Sequence, residues 1–98
     1  MKIEILDKAK EDLTSGYHFY EAQSPGLGSY FLDSLFSDID SLLLYAGIHR
    51  VTLGSHRCLS RRFPFAIYYR IENEVIRIRA VLDCRRHPAW IQRRLQDV

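Results

Sequence analysis

With 98 residues, 47% of them hydrophobic and 27% charged, the chain is expected to form a single domain over residues 1–98, because so short a chain buries roughly 60–65% of its unfolded surface and cannot divide that between two cores. That balance excludes disorder, and the longest uncharged apolar run, LLLYAGI at 42–48, falls far short of the ~20 residues of a membrane-crossing helix. The net charge of +2 conceals a polarity: residues 1–49 carry three lysines and eight acids, residues 50–98 eleven arginines and four acids, so either the second half builds a basic face for an acidic partner or the halves pair internally.

The first six residues, MKIEIL, alternate well enough for a strand. Asp7 then suits the cap of a helix from Lys8 through Gln23, with Ala9, Leu13, Gly16 or Tyr17, and Tyr20 at helical spacing. SPGLG at 24–28 ends it: Ser24 can cap, Pro25 fits a helix start, and the glycines loosen a short connection. Leu27, Phe31, Leu35, Ile39, Leu42 and Ala46 mark one face of a second helix stopping at Gly47. From Thr52 the period changes to two. Residues 56–62 are predicted as a strand, Phe63 and Pro64 as a kink, 65–71 as a strand, 72–74 as a tight turn and 75–83 as the antiparallel partner. Trp90, Ile91 and Leu95 follow Pro88 at helical spacing, with Arg93 and Arg94 decorating that helix. The class expected is α+β: an N-terminal strand, a two-helix hairpin, a three-stranded antiparallel meander and a short C-terminal helix.

A turn centred on Asn73 and Glu74 sets Ile71 opposite Ile76, Tyr69 opposite Ile78, Ile67 opposite Ala80 and Phe65 opposite Leu82, an apolar face for the helices. The other face then carries Ala66 opposite Val81, Tyr68 opposite Arg79 and Arg70 opposite Arg77, and is expected to stand open. Arg70 against Arg77 is a like-charge pair that an anion, or else Glu4, Glu72 or solvent, must relieve. Arg85 and Arg86 extend the same positive field, unless they bind Asp83 or the C-terminal carboxylate. Cys58 and Cys84 form no CxxC pair and the four histidines are scattered, so no metal site, disulfide framework or cofactor is expected. The N-terminus lacks a signal-peptide pattern, and the expected location is the cytoplasm.

The stretches AKEDLTSGYHFYEAQSPGLGSYFL and FPFAIYYRIENEVIRIRAVLDCRRHPAW, in this order and spacing, resemble the RelE/ParE superfamily of bacterial toxins from type II toxin-antitoxin operons, also called plasmid stabilisation proteins. The likeness spans essentially the whole chain and lies closer to the ParE type. It implies a small α+β toxin held inactive by an antitoxin encoded beside it, in a possible hetero-oligomer, and ParE-like members poison DNA gyrase rather than cut a substrate. RelE-like members instead cleave messenger RNA in the ribosome, and a toxin fold that has lost toxicity and serves only antitoxin binding and operon repression is a third alternative.

In the ribonuclease alternative Arg61, Arg62, Arg79, Arg85 and Arg86 could hold phosphate, Tyr68 could stack a base and His87 could be the general acid, with Arg62, Arg79, Arg85 and His87 the catalytic set. Pro64 and Phe65 occupy the strand start where the nuclease branch usually places an arginine. A histidine before a proline can also simply shape a helix entry. For either target, the expected partner-binding residues are Arg61, Arg62, Tyr68, Arg70, Arg77, Arg79, Arg85 and Arg86. Arg79 and Arg85 are expected to be exposed, so that reversing both charges would abolish toxicity without unfolding the chain.

Overall fold

Period 3.6 in the first half and period 2 in the second organise residues 1–96, which the computed structural model describes. The elements are β1 (Lys2–Ile5), α1 (Asp7–Glu21), α2 (Leu27–Asp40), α3 (Leu42–Tyr45), β2 (Val51–Thr52), β3 (Ser55–Leu59), β4 (Phe65–Glu72), β5 (Val75–Asp83) and α4 (Pro88–Gln96). The strands form one sheet in the order β1-β5-β4-β3-β2, with β1 parallel to β5 and every other pair antiparallel. No described helix is long and apolar enough to cross a membrane.

The α1–α2 hairpin covers one sheet face. Ala9, Leu13, Phe31, Leu35 and Ile39 pack against Ile67, Tyr69, Ile76 and Ile78. Close approach of the helices depends on small residues: a Cβ on Gly28 would stand 2.7 Å from the Tyr17 carbonyl oxygen, and one on Gly16 would stand 2.5 Å from the Phe31 ring. Between the helices the Glu21 carboxylate accepts the N–H groups of Gly26 and Gly28 at 2.9–3.1 Å. A glutamate thus supplies the capping expected of Ser24, while Gly26 is the N-cap residue, at φ 88°. Asp7 is likewise the first residue of α1 and not its cap, which is Leu6.

Four further departures have physical causes. The second helix breaks at Ser41, whose hydroxyl donates to the Asp38 carbonyl at 2.6 Å and competes for an acceptor of the helical ladder. An extra strand, β2, precedes the expected three; Leu53 and Gly54, both at positive φ, turn it into β3. β3 ends at Leu59, leaving Arg61 and Arg62 in the following bend. Finally, the β4–β5 register holds as expected from Tyr69 to Glu72, across a turn with Asn73 and Glu74 both at positive φ, then shifts by one at a bulge. Arg79 is the extra residue, so beyond it Ile67 faces Val81 and Tyr68 faces Ala80.

That slip reverses the faces of the last residues of β5. Val81 joins the helical-hairpin core, whereas Ala80 and Leu82 join Ala66, Tyr68 and Leu95 in a second core with Trp90 and Ile91 of α4 against it. The face expected to be open is therefore roofed by α4 along part of its length.

Candidate partner-binding surface

The roof decides the fate of two predicted site residues. Tyr68 is 3% exposed and Arg79 4%. Arg79 donates to Ser55 Oγ at 2.5 Å and to the Leu95 carbonyl at 3.1 Å, which places its charge at the C-terminal end of α4 where the helix dipole favours a cation. Burial lowers its pKa from the usual value. The expected exposure of Arg79 is overturned, as is the expectation that Tyr68 offers an open ring for stacking.

At the other end of the hairpin, Arg70 and Arg77 do stand opposite each other. Their repulsion is relieved from within: Arg77 pairs with Glu4 and, at 3.1 Å, with Glu72, while Arg70 Nε donates to the Gly54 carbonyl at 2.8 Å. Arg61 reaches Asp38 of α2 at 3.5 Å, and that buried carboxylate also accepts Ser60 Oγ at 2.7 Å and the Arg61 N–H at 3.2 Å. Arg62 is exposed in the same bend.

The cationic end of β5 is divided among three tasks. Arg85 makes a two-pronged ion pair with Asp83, Nε at 3.0 Å and Nη2 at 2.7 Å, to whose carboxylate its own N–H also donates at 2.8 Å; the hydrogen bonds from Arg85 hold the Asp83 carboxyl below its usual range. The C-terminal carboxylate, the other partner considered for this pair, lies outside the described residues. Arg86 lies 4.4 Å over the Trp90 ring. The Nδ1 of His87 accepts the Ala89 N–H at 3.0 Å, and its carbonyl accepts those of Trp90 and Ile91, so it caps α4.

Two arginines outside the predicted set complete the most distinctive surface. A groove of 580 Å³ runs between α4 and the β2–β3 hairpin, and Arg50, Arg57 and Arg86 line it together with Leu53, Leu59 and Ile91. Arg57 is held in place, its Nε donating to Tyr68 Oη at 3.2 Å and its Nη2 to Cys84 Sγ at 3.4 Å; the Tyr68 hydrogen bond is the main cause of its raised pKa. Arg57 stands beside Tyr68 because β3 and β4 pair in the register Arg57↔Tyr68. No local pattern carries that register across the connection at 60–64.

The sequence matches the family described as the ParE toxin of the type II toxin-antitoxin system, parDE, over residues 3–88. The chain belongs to the ParE toxin family. Its fold is similar to a solved structure titled "Chromosomal ParDE TA system from P. aeruginosa", at a TM-score of 0.74 and 21% identity, covering 83% of this chain and 92% of that one. No curated protein sequence matches the chain.

In this ParE-family chain three of the residues a ribonuclease would draw on are engaged in the fold, while Arg62 stands exposed. Arg79 is taken by Ser55 and Leu95, Arg85 by Asp83 and His87 by the α4 cap. What the surface offers is recognition of negative charge by guanidinium groups flanked by aliphatic side chains.

Proposed function

We propose that the protein is the toxin of a type II toxin-antitoxin module, that it stops growth by binding DNA gyrase in the cytoplasm, and that a cognate antitoxin neutralises it. The observation that carries this reading is the ParE-family match across residues 3–88. The engagement of Arg79, Arg85 and His87 in structural contacts also favours a binding toxin over a nuclease, since general acid and phosphate-holding groups must be free to meet substrate. The test is gyrase supercoiling of relaxed plasmid with increasing amounts of purified, antitoxin-free protein. Dose-dependent inhibition with trapped cleaved DNA is expected. Unimpaired supercoiling in the presence of folded protein that arrests growth would overturn the choice of target.

A further inference from the structure

We propose that the groove between α4 and the β2–β3 hairpin seats an acidic, amphipathic segment of the antitoxin, a proposal that rests on the toxin-antitoxin reading above. Carboxylates of that segment meet Arg50, Arg57 and Arg86, and its apolar side chains lie among Leu53, Leu59 and Ile91.

Charge is the first ground. Arg61, Arg77, Arg85 and Arg94 each have a carboxylate within 4.0 Å, whereas among the described residues Arg50, Arg57 and Arg86 have none. Three uncompensated guanidiniums sharing one groove repel one another and attract an anionic occupant. Pre-organisation is the second. Tyr68 and Cys84 pin one side of Arg57, and Trp90 supports Arg86 from below, so a partner orders less arginine side chain on binding. Only two of the five N–H donors of Arg57 are engaged in those bonds.

The lining selects the class of occupant. Leu53 and Leu59 are 51% and 57% exposed, and aliphatic groups beside arginine suit an amphipathic peptide with apolar and acidic side chains on neighbouring faces. Single-stranded nucleic acid would want open aromatic faces for its bases. Here the Tyr68 ring is buried and the Trp90 ring carries Arg86.

Calorimetric titration of the chain with the purified product of the adjacent reading frame tests the assignment. The double variant Arg57→Glu/Arg86→Glu should bind about 100-fold more weakly than wild type. Arg50→Glu alone, at an exposed position, should lose about 10-fold and provides the test if the double variant does not fold. A control of equal charge change away from the groove, Lys10→Glu/Arg93→Glu, should bind as wild type does. Wild-type affinity in the folded groove variants overturns the groove while leaving the toxin-antitoxin reading intact. Absence of binding by the wild type refutes that reading and the proposal together. A groove variant that loses affinity for a single-stranded oligoribonucleotide but keeps it for the acidic protein assigns the groove to nucleic acid and overturns the proposal.

Discussion

Arg79 shows how far a single residue's role depends on what covers its strand. Its face is the one it was expected to share with Tyr68, but α4 roofs that face, and Arg79 holds Ser55 and the last turn of the helix. Removing it leaves a buried hydroxyl and a helix-terminal carbonyl without their donor. Arg79→Ala should therefore cost about 2–4 kcal/mol of stability, read from the urea midpoint at unchanged slope. Arg85→Ala, at an exposed position where the guanidinium pairs with Asp83 and meets Tyr20 of α1, should lower the midpoint far less. The joint reversal of both charges thus tests folding at one position and surface at the other.

Among the elements, the helical hairpin was largely legible, and α4 was legible as a helix but not in its docking. The 3.6-residue spacing of Leu27, Phe31, Leu35 and Ile39 marks the buried side of α2 that the structure shows, and Gly16 proves to be the inward residue of the pair left open with Tyr17. Gly28→Ala would drive a methyl group against backbone, 2.7 Å from the Tyr17 carbonyl oxygen, and should destabilise by about 1–3 kcal/mol, seen as a lower thermal midpoint. Helical spacing in 90–95 was readable, but not the place where that helix docks. Asp12 of α1 decides part of it: its carboxylate accepts the Val81 N–H at 3.0 Å and pairs with Arg94, joining both helices to the strand that carries the bulge. The candidate groove inherits this limit, since Arg86 and Tyr68 were foreseen while Arg50 and Arg57 reach it only through the β2–β3–β4 pairing.

Across the whole molecule, the acidic first half and basic second half meet in Glu4–Arg77, Asp38–Arg61 and Asp12–Arg94. Part of the polarity therefore joins the halves, and three of the arginines left over, Arg50, Arg57 and Arg86, line the groove. A titratable contact also ties the α3–β2 connection to the sheet: Tyr69 Oη accepts the Gly47 N–H at 3.0 Å and shares a hydrogen bond with His49 Nδ1 at 2.5 Å. Burial, and secondarily the neighbouring His56, lower the His49 pKa from 6.5. The unfolded chain then takes up the proton first as pH falls, so stability present above 6.5 is lost as pH falls through the folded value. Wild type should lose more of its thermal midpoint between about pH 8 and about pH 5 than His49→Gln does, and an equal loss in both would rule out His49 as the source.

Element order, the hairpin turn and family membership were decided locally, because helical and strand periods, turn residues and motif spacing are all written in near neighbours. In RIRAVLD, residues 77–83, Ala80, Val81 and Leu82 are consecutive apolar residues, and a strand buried on both faces carries no alternation to say which residue faces which side. Tertiary structure alone chose the bulge, put α4 over one face and left three arginines around a single groove, because each depends on contacts between elements remote in sequence.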